Sequence, residues 1–259
     1  AQLYGRTPND RIRMSSEVLA EDVALQGKAL RRQVRLTFSK DGDSQSLLML
    51  IYLPREARGP VPVFLSYNFY GNQTIASDTA ILKTTSWSRN NESYGIRDHD
   101  GSLAIRGVDS SRWALDSIID AGFGLATACY NDIYPDGPGN RDSSVIRFFG
   151  QPQQPDSWCA IGAWAWGMSR MLDYLEQMPE VDTSRVIAMG HSRQGKTALW
   201  AGAQDPRFAV VISNDSGCGG AALFRRQFGE TAELMHRAVP YWMCENFGQY
   251  CNNEPALPV

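Results

Sequence analysis

A serine that closes an apolar run and opens a helical pattern could act as a nucleophile in this chain. The run ends at Gly190, Ser192 follows two places later, and helix-favouring residues begin at once. That layout is typical of a nucleophile elbow, in which a sharp strand-to-helix turn presents a serine hydroxyl to an ester. The same stretch also spells Gly190-x-x-x-x-Gly195-Lys196-Thr197, the signature of a phosphate-binding P-loop. One segment therefore supports two chemistries, ester hydrolysis and nucleotide binding.

The position of the segment favours hydrolysis. A P-loop normally lies on an early strand and has small residues whose amides wrap the phosphates. Here the segment follows four or five predicted strands, its interior is His-Ser-Arg-Gln, and the run 210–215 is only an approximate Walker-B partner. The elbow has one departure, because Gln194 stands where a glycine is usual and Gly195 comes one place later. Ser192 could also serve only as a helix cap, but a cap does not require Gly190.

The elements that must position this serine alternate between strand-like and helix-like patterns. Two apolar stretches joined by a turn predict an antiparallel hairpin at a sheet edge, and short continuous apolar runs predict buried strands. Residues 1–30 are polar and predicted to be irregular, and long polar stretches at 68–111 and 131–156 predict functional loops. The predicted strands are 33–39, 47–53, 61–67, 123–130, 186–190 and 208–213, and the predicted helices are 113–122, 159–178 and 193–203.

This order of elements indicates one domain over residues 1–259. It predicts a doubly wound, mostly parallel α/β sheet with an antiparallel N-terminal edge, of the α/β-hydrolase class. After Asp215 such a fold still needs about two strands, a helix and a further loop. We therefore expect the chain to be C-terminally incomplete, with the last strands missing.

Composition and charge argue against several classes of function. The 259 residues carry a net charge of −3 and no basic run, so neither nucleic acid nor an anionic membrane is an expected partner. The longest apolar stretch, 47–53, is too short to cross a bilayer. Five cysteines are too few and too scattered for a disulfide scaffold or a zinc site, although Cys244 and Cys251 could pair if the chain between them turns. The chain starts at Ala1 rather than Met, which suggests a processed N-terminus.

Motifs on both sides of the elbow are shared with a known enzyme family. The most specific is Gly-x-Ser-Arg-x-Gly-Lys at 190–196, and the others lie at 64–72, 130–136, 163–167, 214–222 and 225–231. Together they cover most of the chain and resemble bacterial glucuronoyl esterases, carbohydrate esterase family 15. The resemblance implies an α/β-hydrolase without a metal or other cofactor, which cleaves esters between 4-O-methyl-glucuronic acid on xylan and the alcohols of lignin. It also implies a secreted or periplasmic enzyme, and we expect a monomer whose partners are glucuronoxylan–lignin or small uronate esters.

Each polar residue near the elbow then has a predicted role. Ser192 would attack the ester carbonyl. The backbone amide of Arg193 would bind the oxyanion, and the resemblance implies that its guanidinium helps, with a surface ion pair as the alternative. The resemblance implies that Lys196, one helical turn further on, and Glu230 bind sugar hydroxyls, although either could be an ordinary solvated side chain. Asp215 could orient a catalytic histidine or only shape a turn; the family often has glutamate there, and some members use a later carboxylate.

The histidine of such a triad has no obvious candidate. In these hydrolases it lies on a loop after the last strand, later in the chain than the acid. His99 lies in a polar loop, His191 directly precedes the serine on the opposite side of the turn, and His236 comes too early, so we expect all three to be structural. The catalytic histidine is expected beyond Val259, and without it we expect little or no turnover. Two alternatives stay open: an esterase for other carbohydrate esters, such as acetylated xylan, and an inactive sugar-binding relative.

Overall fold

A single mixed sheet is the frame of the structure. The computed structural model describes residues 2–10, 12–150, 153–225 and 229–256, so residues 226–228 of the motif at 225–231 lie outside it. The strands are β1 (Arg13–Ala24), β2 (Ala29–Lys40), β3 (Asp43–Pro54), β4 (Val61–Asn68), β5 (Gly124–Cys129), β6 (Val181–His191) and β7 (Val210–Asn214). Their order in the sheet is β1-β2-β3-β5-β4-β6-β7. Neighbours are antiparallel from β1 to β5 and parallel from β5 to β7.

Helices cover both faces of this sheet. They are α1 (Leu115–Asp120), α2 (Ala160–Leu175), α3 (Arg193–Gln204) and α4 (Ala232–Ala238). Residues of α1 join one apolar cluster on the sheet and those of α2 and α3 join another, which confirms the predicted α/β layering. No helix in the described ranges is both long and apolar enough to span a membrane. Apolar residues at intervals of three and four in α2 form a stripe that is fully buried, and they are Ile161, Trp164, Met168, Leu172 and Leu175.

Strand β3 shows how the sheet separates the two apolar clusters. Met49 and Ile51 join the cluster that contains α2, whereas Leu50 and Tyr52 join the one that contains α1. All four side chains are fully buried. Because successive residues of a strand point to opposite faces, a sheet covered on both sides requires a continuous apolar run such as 47–53.

The antiparallel part of the sheet is wider than predicted. The prediction of irregular structure for residues 1–30 is wrong from Arg13 onward, because β1 pairs with β2 along its whole length. The predicted hairpin of β2 and β3 is confirmed, but β1 forms the edge. Most residues of β1 are exposed, so it lacks the apolar alternation that signals a strand. Ion pairs across β1 and β2 stabilise it instead, with N–O distances of 2.7 Å for Arg35–Glu17 and 3.1 Å for Arg31–Asp22.

Two predictions about the connecting chain can also be compared with the structure. Between β4 and α1, and between β5 and α2, the described residues form short 3-10 turns and isolated bridges but no longer helix or strand, which confirms the long loops. Cys251 keeps its thiol, whose Sγ lies 3.6 Å from the carbonyl oxygen of Ala232. The disulfide between Cys251 and Cys244 that the sequence left open is therefore not formed.

A buried carboxyl group joins the loop after β5 to strand β3. Asp132 is 7% exposed, and its Oδ2 accepts a hydrogen bond of 3.0 Å from the Leu48 amide. Burial raises the pKa of Asp132 to about 7, although the Leu48 hydrogen bond opposes the change. The folded protein therefore keeps this carboxyl group protonated at pH values where the unfolded chain, with an ordinary pKa of about 4, does not.

We expect Asp132 to make the protein less stable as the pH rises from 5 to 8. Because its folded pKa lies above its unfolded pKa, the stability it contributes is fully present below about pH 4 and is lost as the pH rises through about 7. Asp132→Asn keeps an acceptor for the Leu48 amide but does not titrate. Its free energy of unfolding should therefore fall less over this range, by about 2 kcal/mol. Urea unfolding followed by circular dichroism at both pH values measures the difference.

Asp205→Asn is the matched control for this experiment. Burial alone would raise the pKa of Asp205, but hydrogen bonds from Arg207, one of them 2.6 Å long, hold it below the ordinary value. Asp205 is therefore ionised in the folded and unfolded states from pH 5 to 8, and its replacement should lower stability equally at both ends. A wild-type protein and an Asp132→Asn variant that lose the same stability between pH 5 and 8 would contradict the prediction.

Candidate active site

The turn between β6 and α3 consists of one residue in a strained conformation. Strand β6 ends at His191 and helix α3 begins at Arg193, which leaves Ser192 between them with φ 55° and ψ −127°. A positive φ in a residue other than glycine costs about 1–3 kcal/mol and must be enforced by its surroundings. The Ser192 amide donates to the Asn214 carbonyl oxygen at 2.9 Å, and the Ser192 carbonyl accepts from the Gly195 amide at 2.8 Å. The elbow predicted from sequence is thus present.

Two glycines allow the chain to pass close to itself at this turn. A Cβ atom on Gly190 would overlap the carbonyl group of Gln194. A Cβ atom on Gly195 would lie 2.9 Å from the Cβ of Ser216, where α3 passes the end of β7. Gln194, at the place where the motif usually has glycine, is 1% exposed. The glycine of the motif therefore lies at position 195 in this chain, where α3 packs closely against Ser216.

The geometry argues against the P-loop interpretation. A phosphate cradle needs a loop of free amides between strand and helix, but here only Ser192 separates them. Gly195, Lys196 and Thr197 all lie inside α3, and the Lys196 side chain is 2% exposed. The chain therefore matches the nucleotide-binding signature in sequence only, because the phosphate-binding loop itself is not formed.

A cavity of about 340 Å³ brings three of the predicted site residues together. Asp215 follows β7 with φ 47°, and among the described residues nothing donates a hydrogen bond to its exposed carboxylate. Cys218 also lines the cavity, but burial raises the pKa of its thiol to about 11, so it is a poor nucleophile at neutral pH. The wall of the cavity includes Ser192, Asp215, Cys218, Leu223, Phe224 and Glu230.

Arg193 is partly buried and pairs with a buried carboxylate, so it does not form the surface ion pair considered as its alternative. Its Nη1 donates to the carboxylate of Asp136, which is 1% exposed, and lies 3.4 Å from Tyr130 Oη. Its guanidinium lies 4.8 Å from the ring centre of Trp242 and 5.6 Å from that of Phe69, within the range of cation–π attraction. Burial by itself lowers the pKa of Arg193, but Tyr130 and Asp136 raise it above its ordinary value. The site therefore contains a permanent cation directly after the serine.

Lys196 forms a second buried cation close to the first. Its Nζ lies 3.7 Å from Glu230 Oε2 and 5.6 Å from the ring centre of Trp242. Burial lowers its pKa, although the carboxylate of Glu230 opposes this. The alternative of a solvated lysine is wrong, and Lys196 does not line the cavity with Ser192 but contacts Glu230, which does.

The three histidines make contacts outside this cavity. His191 Nδ1 lies 2.9 Å from Asn214 Nδ2 on the exposed side of the elbow. His99 stacks on Trp87 with ring centres 4.7 Å apart. His236 lies in α4, against Gly248 and the ring of Phe247. None of them is among the described residues that line the cavity, and these residues contain no cluster of three or more metal-ligating side chains.

Comparison with known proteins places this geometry in a family. A curated carbohydrate esterase of an unknown prokaryotic organism is 41% identical over 262 residues, covering 100% of this chain and 61% of that protein. Residues 139–259 match the family model "Glucuronyl esterase, fungi". The chain belongs to the glucuronoyl esterases, carbohydrate esterase family 15.

Solved structures of this family share the fold. A glucuronoyl esterase from Solibacter usitatus is 40% identical and superposes with a TM-score of 0.88, over 98% of this chain and 65% of that one. A promiscuous family 15 esterase from a marine bacterial metagenome superposes with a TM-score of 0.89, over 100% of this chain and 66% of that one. These glucuronoyl esterases are α/β-hydrolases, which confirms the predicted fold class. The chain spans less than two thirds of the length of each of these relatives.

One part of this candidate site was missed from sequence. Asp136 contacts Arg193, yet the stretch 130–136 entered the sequence analysis only as part of a family motif. Its position was a usable signal, because polar loops that follow parallel strands meet at the carboxyl edge of a sheet. Strand β5 ends just before Tyr130, and it is two places from β6, which carries Ser192. Tyr241 and Trp242, which also contact Asp136, follow no parallel strand and carried no such signal.

Proposed function

We propose that this protein is a serine esterase that hydrolyses carboxylic esters of 4-O-methyl-glucuronic acid. The observation that carries the proposal is the shared cavity of Ser192 and Glu230, with the ammonium of Lys196 3.7 Å from the Glu230 carboxylate. The nucleophile and one proposed sugar-binding group, Glu230, then line one cavity, and the second, Lys196, lies directly behind Glu230. The names of relatives, such as the 4-O-methyl-glucuronoyl methylesterase 1 of Phanerochaete chrysosporium, support the same substrate class.

The elbow supplies the nucleophile and the groups that stabilise charge. Ser192 Oγ bonds to the ester carbon, the carbonyl oxygen becomes an oxyanion, and the alcohol leaves with a proton to give a glucuronoyl–serine ester. Water then hydrolyses this ester and releases glucuronate. The Arg193 amide is in the first turn of α3, where N–H groups have no partner within the helix, and its guanidinium adds a fixed positive charge.

The remaining roles are proposed on the same basis. Glu230 accepts and Lys196 donates hydrogen bonds to hydroxyl groups of the sugar, and Asp215 orients the histidine that takes the serine proton. The described part of the chain places no histidine in the cavity. We further propose a metal-free monomer, secreted or periplasmic, that acts on the ester between glucuronoxylan and lignin alcohols, because such a polymer is met outside the cytoplasm.

Two ester substrates test the proposed function. With the histidine that completes the triad present, we expect the purified protein to release alcohol from the methyl ester of 4-O-methyl-glucuronate faster than acetate from acetylated xylan, with calorimetry of glucuronate binding run in parallel. Faster release of acetate would make it an acetyl esterase. Binding of glucuronate without hydrolysis of either ester would make it a sugar-binding relative. Either result overturns the proposal.

Lys196→Met should raise KM for the glucuronate ester by about tenfold or more, because a charged hydrogen bond to the sugar contributes about 1.5–3 kcal/mol. Methionine keeps the apolar stem of the side chain as far as Cε, and Glu230 is half exposed, so loss of the cation leaves no buried charge unpaired. Initial rates over a range of ester concentrations measure the change. Lys28→Met, in which an exposed lysine beside Asp120 is replaced, should leave KM unchanged. Equal KM values in wild type and Lys196→Met would show that Lys196 does not bind the sugar.

A further inference from the structure

Among the carboxylates around the elbow, Asp136 accepts the most hydrogen bonds from described side chains. It is 1% exposed and lies in the loop after β5. Its Oδ2 accepts from Tyr130 Oη at 2.8 Å and from Nη1 of Arg193. Its Oδ1 accepts from Trp242 Nε1 at 2.8 Å and from Tyr241 Oη at 2.9 Å. Each oxygen thus has two donors, and every one of these donors comes from a side chain.

We propose that Asp136 is a positioning residue for catalysis, which fixes the guanidinium of Arg193 where it can stabilise the oxyanion. This inference rests on the proposed esterase function, because it assigns Asp136 to that reaction. Asp136 acts through Arg193 and does not touch the substrate.

The contacts of Arg193 show why it needs such an anchor. An arginine at the start of a helix is free to extend into solvent, and this side chain is still 25% exposed. Asp136 holds one end of the guanidinium, while the Trp242 ring lies 4.8 Å from its centre. Trp242 donates its own N–H to the same carboxylate, so Asp136 positions both the cation and the ring beside it. One carboxylate therefore restricts Arg193 on two sides.

The anchor leaves part of Arg193 available for chemistry. Its hydrogen bonds to described residues all come from Nη1 and the side chain is 25% exposed, so Nη2 can still donate, while the buried Nε also has no partner among these residues. A guanidinium with one edge tied to a carboxylate and another donor unused can bind an anion that forms only during the reaction. Because that anion is absent from the bound ester, loss of the anchor should lower kcat and leave KM nearly unchanged.

Asp136→Asn tests the proposal. Asparagine keeps the shape of the side chain but replaces one carboxylate oxygen, which accepts two hydrogen bonds, with an NH₂ group that can only donate. We expect kcat for the glucuronate ester to fall about 10- to 100-fold at an unchanged KM. Asp132→Asn is the matched control, because it replaces another buried carboxyl group of the same loop that does not contact Arg193, and it should leave kcat unchanged. A proportionate rise in KM with constant kcat would overturn the proposal.

A double-mutant cycle separates positioning from a general structural role. In an Arg193→Ala background, Asp136→Asn should have no further effect on kcat, because the residue it positions is gone. If the double variant loses kcat by the product of the two single losses, Asp136 acts independently of Arg193 and the proposal fails. Should Asp136→Asn not fold, Tyr241→Phe removes one donor from Oδ1 and should lower kcat a few-fold in wild type, but not in Arg193→Ala.

A readout without turnover keeps this test separate from that of the esterase function. The Nε–H signal of Arg193 in a ¹⁵N NMR spectrum, assigned by its loss in Arg193→Ala, should be protected from solvent exchange in wild type and in Asp132→Asn. It should exchange rapidly in Asp136→Asn. If no ester is hydrolysed but protection follows this pattern, the esterase function fails while the anchoring of Arg193 stands. Unchanged protection in Asp136→Asn overturns the anchoring itself.

Discussion

Ser192→Ala is expected to lower kcat for glucuronate esters by about 10⁴-fold or more, the size of effect seen when a hydrolase loses its nucleophile. The reason is local, because Ser192 is the one side chain presented by the turn between β6 and α3, and the proposed acyl-enzyme cannot form without its Oγ. Binding should persist, since Lys196 and Glu230 are untouched. Calorimetry with glucuronate should therefore give similar dissociation constants for wild type and variant.

Two further variants make this result specific. Ser184→Ala replaces an exposed serine that hydrogen-bonds Asp182 on β6, and it should keep wild-type rates. Ser192→Gly should be as inactive as Ser192→Ala but more stable by about 1 kcal/mol, because glycine adopts the φ of 55° without strain. More than a tenth of the wild-type rate in Ser192→Ala would mean that another group attacks the ester.

Gly190→Ala is expected to remove both folding stability and activity. The added methyl group would overlap the carbonyl group of Gln194, which is backbone within α3 and cannot rotate away. Relief would require β6 and α3 to separate at the elbow, at a cost of about 3 kcal/mol or more. That is a large share of the 5–15 kcal/mol that stabilises a typical domain. Thermal unfolding and the ester assay on the same preparation would measure the two losses together.

Gly59→Ala is the control for this substitution. A Cβ atom at Gly59 would meet nothing within 4 Å, and its φ lies outside the region that favours glycine. Its stability should stay within about 0.5 kcal/mol of wild type. A Gly190→Ala protein as stable as Gly59→Ala would show that the elbow can widen, and that the close approach does not require glycine.

The parallel part of the fold could be predicted because each element carries its own pattern. Buried strands such as β4 are short continuous apolar runs, and α2 repeats apolar residues at helical spacing. Strand β1 could not be predicted in this way. Its stability depends on charges that pair with β2, and a string such as Ser15-Ser16-Glu17 looks like a polar loop until its partner strand is known.

The same distinction between local patterns and long-range contacts applies to the site residues. Ser192 was identifiable because the elbow is a local motif, and Asp215 and Glu230 followed from their motifs and do share its cavity. The anchor of Arg193 was not identifiable, because Asp136 is 57 residues earlier in the chain and Trp242 is 106 residues after Asp136. Contacts between such distant residues have no periodicity or spacing that a single sequence can reveal.

The candidate site residues that follow a strand all follow one in the parallel half of the sheet, and none follows a strand that belongs only to the antiparallel half. Ser192 and Asp215 follow β6 and β7, the Asp136 loop follows β5, and Phe69, which lies beside Arg193, follows β4. Every one of these strands belongs to the parallel half, and the hairpin of β2 and β3 contributes no residue to the cavity. Changes in these loops can therefore alter substrate preference, but only where they spare contacts such as that of Asp132 with Leu48, which join the loops to the antiparallel half.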